Sequence, residues 1–101
     1  MKLLTQELKR EFPKLGKTDG KDPGQIRVIA KFFDPCSQWT WYATEFDGKD
    51  TFFGFVRGIE NELGTFSLSE LESVRSLFSL GIERDLYFGK HTLAEVMEKR
   101  I

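Results

Sequence analysis

Two runs of β-branched and aromatic residues, 39–46 and 51–57, flank Asp47-Gly48-Lys49-Asp50, and that arrangement leaves few folds open to the chain. The intervening residues favour a hairpin, because Gly48 takes a positive φ without the cost a Cβ would bring. With Asp47 facing Asp50, Phe46 opposes Thr51, Tyr42 opposes Phe55 and Trp41 opposes Val56. One face then carries Trp39, Trp41, Ala43, Phe52, Gly54 and Val56; the other carries Thr40, Tyr42, Thr44, Phe46, Phe53, Phe55 and Arg57. Moving the turn shifts the pairing by two residues and leaves these faces unchanged. Both faces are aromatic, so this sheet is either covered on both sides or keeps one side for binding.

The remaining segments supply the cover. Leu4, Leu8 and Phe12 recur every fourth residue and predict a helix over 3–11, ended by Pro13. Residues 14–24 mix glycine, proline, lysine and aspartate and read as an exposed loop. A strand is expected over 25–33, with Ile26, Val28, Ala30 and Phe32 alternating onto one face, followed by a turn from Asp34-Pro35. A short strand fits 63–66. Ser67 with Glu70, or Ser69 with Glu72, matches a capping box and opens a middle helix whose apolar stripe is Leu68, Leu71, Val74 and Phe78, stopped by Gly81. A further strand fits 83–88. Thr92 with Glu95 repeats the box and starts a last helix with Leu93, Val96 and Met97 on its apolar side. The expected fold class is α+β: a small antiparallel meander of three to five strands with N-terminal, middle and C-terminal helices packed on it.

With 101 residues the chain is expected to form one domain, 1–101. Cys36 is the only cysteine, so no internal disulfide can staple the fold, and aromatic burial has to supply its stability. The lone thiol, the early polar residues and the lack of a long apolar run predict a cytoplasmic protein with no membrane segment. Fifteen basic residues against sixteen acidic ones give a net charge of −1, which favours neither a polyanion binder nor a strongly acidic DNA mimic.

Chemistry-bearing patterns are sparse. Cys36 and His91 are the only Cys and His, placed in a turn and near a helix start, so a nucleophile–base pair is not expected. One of each also falls short of the usual zinc ligand sets, and the pairs Glu60/Glu62 and Glu83/Asp85 lack the loop pattern of a calcium site. No phosphate-cradling glycine motif occurs. No catalytic residue, metal or cofactor is therefore expected. Binding is the open question. Tyr42, Phe53 and Phe55 beside Arg57 could stack the bases of a single-stranded nucleic acid, with Arg27 or Lys31 meeting phosphates. Ordinary core packing is the favoured account of those rings. Trp39 and Arg57, with the turns at 34–38 and 58–62, form instead a candidate protein-binding edge at one end of the hairpin.

Several blocks in this order carry a resemblance across nearly the whole chain: Lys31-Phe32-Phe33-Asp34-Pro35, Trp39-Thr40-Trp41-Tyr42-Ala43-Thr44-Glu45-Phe46-Asp47, Phe52-Phe53-Gly54, Glu62-Leu63-Gly64, Phe66-Ser67-Leu68-Ser69-Glu70-Leu71-Glu72 and Glu83-Arg84-Asp85-Leu86-Tyr87. Together they resemble the domain of unknown function 2958, small proteins of plasmids, phages and integrative elements. Cys36 and Thr65 depart from that pattern, standing where an acidic residue and a tyrosine are more usual. The resemblance implies no activity and no catalytic residues to carry over. It implies an accessory protein of a mobile element, and the expected function is binding a protein of the host or of the element. The alternative is single-stranded nucleic-acid binding through the aromatic face.

Overall fold

The structure is a computed structural model that describes residues 2–75 and 80–101. In chain order it contains helix α1 (Gln6–Glu11), a 3-10 turn (Pro23–Gln25), strands β1 (Arg27–Val28), β2 (Ala30–Phe33), β3 (Thr40–Phe46), β4 (Thr51–Arg57) and β5 (Asn61–Ser67), helix α2 (Leu68–Ser73), strands β6 (Glu83–Arg84) and β7 (His91–Thr92), and helix α3 (Leu93–Glu98). Five strands form an antiparallel sheet in the order β5-β4-β3-β2-β6, and β1 pairs with β7 in a separate ribbon. The protein is α+β, as its sequence implies.

The hairpin forms as its turn chemistry dictates. Gly48 has φ of 88°, and Asp47 Oδ1 accepts from the amides of Lys49, Asp50 and Thr51. Tyr42 pairs with Phe55 and Trp41 with Val56, the expected register. Beyond Ala43 the register slips: Glu45 opposes Phe53 and Phe46 opposes Phe52, leaving Thr44 as the extra residue of a bulge. One inserted residue reverses every side chain after it. Phe46 therefore joins Phe52 instead of facing Tyr42.

On the first face, Phe52 touches four rings: Phe12 at 5.6 Å, Phe32 at 5.4 Å, Phe46 at 4.6 Å and Phe66 at 5.3 Å between centroids. Leu3, Leu4 and Leu71 close over them, with Leu8 and Phe12 of the N-terminal segment packed alongside. The second face carries Tyr42 and Phe55, covered by Ile26, Val28, Phe88, Leu93 and Val96. Both aromatic faces are thus roofed over part of their length. Burying a Phe-sized side chain contributes about 1.5–3 kcal/mol, so these two layers stabilise the chain without a staple.

Several boundaries differ from expectation for local reasons. Helix α1 starts at Gln6, not Leu3, because the Thr5 hydroxyl accepts from the Leu8 amide and caps it; Leu3 and Leu4 pack as buried residues ahead of the helix. The 25–33 strand is interrupted: Asp22 caps a 3-10 turn, β1 pairs with β7, and β2 pairs with β3. Ile26 and Val28 consequently enter the second core, whereas Ala30 and Phe32 enter the first. Strand β5 extends over Asn61–Ser67, beyond the expected 63–66, and β6 keeps only two residues of 83–88. In the middle helix Ser67 is the cap, accepting from the Glu70 amide, and the helix stops at Ser73 with Val74 extended. Phe78 of the expected stripe lies outside the described residues. The Thr92/Glu95 capping box is complete in both directions, although Met97 of the expected apolar side is exposed.

Candidate functional site

Tyr42 and Phe55 face each other across β3 and β4, and their rings stack at 6.3 Å between centroids. They are 1% and 5% exposed. Phe88 packs on Tyr42 at 6.0 Å, and α3 lies above through Leu93 and Val96. Arg57 shares this buried face. Its guanidinium sits 5.2 Å from the Phe55 centroid, and Nη2 donates to the carbonyl oxygens of Val96 and of Lys99, the latter at 3.2 Å. A cation at the end of a helix satisfies its orphan carbonyls, so Arg57 holds α3 onto the sheet. Phe53 is half-buried opposite Glu45. The structure therefore brings Tyr42, Phe55 and Arg57 together beneath a helix, and Tyr42 and Phe55 are packed as core, not open to a base as the alternative stacking platform would require.

Trp39 lies elsewhere. It projects from the end of the first face, 38% exposed, and stacks on Trp41 at 5.9 Å with planes 26° apart. The pairing register extends two rows across this end of the sheet. Phe32, Trp41, Val56 and Glu62 stand side by side in one row. Two residues further along each strand, the Asp34 amide donates to the Trp39 carbonyl at 3.1 Å and the Gly58 amide to the Glu60 carbonyl at 3.3 Å. Gly58 is what lets the indole settle here: a Cβ at this position would meet the Trp39 ring at 2.3 Å. The preceding turn is fixed by its own hydrogen bonds, the Cys36 amide donating to Asp34 Oδ1 at 2.9 Å and the Trp39 amide to Ser37 Oγ at 3.2 Å. Beside it Ile59, at the tip of the β4–β5 turn, is 93% exposed. Trp39 and the two turns thus share one end, as expected, but Arg57 does not join them there.

The ionisable groups have other occupations. Glu45 is 1% exposed, yet its Oε1 accepts from the Gly16 amide at 2.8 Å and its Oε2 from the Thr18 amide at 2.9 Å and the Thr18 hydroxyl. Burial alone would raise this carboxyl; the Thr18 hydroxyl and the two amides outweigh it and hold the group below the ordinary glutamate range. Glu45 thereby anchors the lysine-rich loop over 14–22. Sequence reasoning missed this residue, and its one signal was a charge inside an apolar strand. Asp50 is likewise held low, by the Ser67 hydroxyl and the Ser69 amide, and Asp47 by the amides of its own turn. Glu95 is lowered by the Thr92 amide and by His91, whose Nδ1 lies 3.3 Å from its carboxylate.

Cys36 is exposed in the turn after β2, whereas His91 pairs with Val28, which precedes β2, so the length of that strand separates them. Among the described residues no three His, Cys, Asp or Glu side chains converge as a metal site would require. A half-open hollow of about 390 Å³ is lined by Leu3, Leu71, Glu72, Arg75, Gly81, Ile82 and Glu83. Among the described residues no helix is long and apolar enough to cross a membrane.

No curated protein and no solved structure matches the chain. A family model described as a protein of unknown function, DUF2958, matches residues 3–99, a span containing strands β1 to β7, helices α1 to α3 and the Trp39 end. The chain belongs to the DUF2958 family.

Proposed function

We propose that this is a non-enzymatic accessory protein of a mobile genetic element, acting in the cytoplasm by binding a protein partner of the host or the element through the Trp39 end of the sheet. One observation carries the reading: a large indole stays 38% exposed although Trp41, Gly58 and the hydrogen-bonded turn hold it in place. A pre-positioned aromatic side chain loses little freedom on binding, which is why Trp anchors so many interfaces. Ile59 beside it extends the apolar contact. The acidic groups with shifted titration are all engaged in turns, caps and the loop anchor, which supports binding over catalysis. The burial of Tyr42 and Phe55 supports a protein partner over a single-stranded nucleic acid.

The test is site-specific photocrosslinking. A benzophenone side chain at position 59, in cells that carry the element, is expected to yield one discrete protein adduct. Trp39→Ala should abolish that adduct while leaving the melting temperature within a few degrees of wild type. Absence of any discrete adduct, or one indifferent to Trp39→Ala, refutes the reading.

A further inference from the structure

Net charge conceals a local excess of acidic groups at one end of the sheet. At the Trp39 end, the two turns and the row beside them carry Asp34, Glu60 and Glu62. The register sets Glu62 next to Val56 on the first face, with Trp41 one strand further on, and the Glu60 carbonyl accepts from the amide of Gly58, on which the Trp39 ring rests. Basic groups close to this end are turned elsewhere. Arg57 lies on the opposite face with its guanidinium on the α3 carbonyls, and Arg84, across from Phe32, donates Nη1 to the Leu3 carbonyl at 2.7 Å.

We infer that the Trp39 end recognises a cationic segment of the partner protein, an Arg or Lys side chain lying against the Trp39–Trp41 pair with its charge facing Asp34, Glu60 and Glu62. An indole attracts a cation through its ring quadrupole, and Arg stacks on it better than Lys does. Nearby carboxylates reinforce the attraction and repel phosphate, so the same geometry disfavours nucleic acid. This inference rests on the protein-binding reading above and specifies the chemistry of its partner.

Trp39 and Trp41 are the only two tryptophans, so selectively excited tryptophan fluorescence reports on this end alone. The probe is an acetylated, amidated tetra-arginine peptide, titrated at low salt beside its tetra-citrulline and tetra-glutamate counterparts. A saturable fluorescence change is expected with the arginine peptide only, weakening as salt rises. Glu60→Gln and Glu62→Gln should each weaken it about two- to fivefold, as for exposed ion pairs. Glu98→Gln, on exposed α3, should leave it unchanged. Equal binding of the citrulline peptide, a doubly neutralised variant that titrates like wild type, or an equal loss with Glu98→Gln overturns the inference. So does self-association in sedimentation that the double variant abolishes, because a second copy would then be the occupant. If the position-59 adduct forms and survives neutralisation of Glu60 and Glu62, the cationic partner is refuted while protein binding stands. If no adduct forms, both fall.

Discussion

Replacing Glu45 by Gln tests the least expected contact in the fold. The two side chains have the same shape, so the change isolates charge and hydrogen-bonding capacity. The carboxylate meets donors on both oxygens: the Gly16 amide at one, the Thr18 amide and hydroxyl at the other. A glutamine must turn its own NH2 toward one of these sides. At least one hydrogen bond to a charged acceptor is lost, and two donors then confront each other in a buried place. Hydrogen bonds to charged groups contribute roughly 1.5–3 kcal/mol, so a loss of about 2–3 kcal/mol is expected. For a chain of this length that corresponds to a fall of roughly 10–20 °C in melting temperature.

The pH dependence supplies a second, independent readout. Glu45 is held below the ordinary glutamate range in the fold. Its stabilisation is therefore fully present above the unfolded-state value and lost as pH falls through the folded one. A protonated Glu45 resembles glutamine in carrying a donor on one side. The gap between wild type and Glu45→Gln in thermal melts followed by circular dichroism should accordingly be widest near neutrality and close in acid. Asp47, Asp50 and Glu95 are lowered too, but they act on both proteins and cancel in the difference. A variant that melts within about 3 °C of wild type at neutral pH, or a gap that persists unchanged in acid, refutes the anchoring role.

Three further substitutions test structural roles. Gly54→Ala puts a Cβ 1.8 Å from the Tyr42 carbonyl oxygen, which is backbone and cannot give way, so a loss above about 4 kcal/mol and failure to recover folded protein by circular dichroism are expected. Tyr42→Ala empties the centre of the second core and should cost about 3–5 kcal/mol in urea melts, a stability defect and not a binding defect. Thr92→Ala removes the cap of α3 and should cost about 0.5–2 kcal/mol by the same assay.

The hairpin was legible because period-two alternation and an Asp-Gly turn specify each other, and the pairs Tyr42–Phe55 and Trp41–Val56 follow from them. The reading failed where one residue broke the period. Thr44 itself carries no mark of a bulge, but Gly54, opposite Ala43 beside it, does: a glycine inside a strand signals a bulge or a close backbone approach. Helix limits were overdrawn for another reason. Apolar spacing cannot distinguish Leu3 and Leu4 packing in an extended lead from the same residues in a helical turn, and the decisive group was the Thr5 hydroxyl. Arg57 was misplaced because its face was read correctly but the cover over that face, α3, could not be located from sequence. The place of Trp39 at the hairpin end was legible because turns at one end of a hairpin follow directly from its pairing.

Strand and helix lengths explain why an aromatic end is left uncovered. Among the described residues, helices α1, α2 and α3 have six residues each, about 9 Å, while β3 and β4 have seven, about 23 Å. Helices of that length roof part of a face and not its whole span. On the first face the N-terminal segment and α2 cover the Phe46–Phe52 region, leaving Trp41 half-buried and Trp39 exposed. This geometry gives Trp39 two possible meanings, a lid over the sheet end or a contact for a partner, and Gly58→Ala separates them. The new Cβ displaces the indole, which lies at the surface and can swing away. A lid that is displaced exposes apolar surface, so the melting temperature should drop by about 5–10 °C, in line with a cost of 1–2 kcal/mol. A contact residue that is displaced leaves the fold nearly unchanged, shifts Trp emission to the red and removes the crosslink at position 59. The second pattern is the expected one, and a large loss of stability with the crosslink retained would assign Trp39 to the core instead.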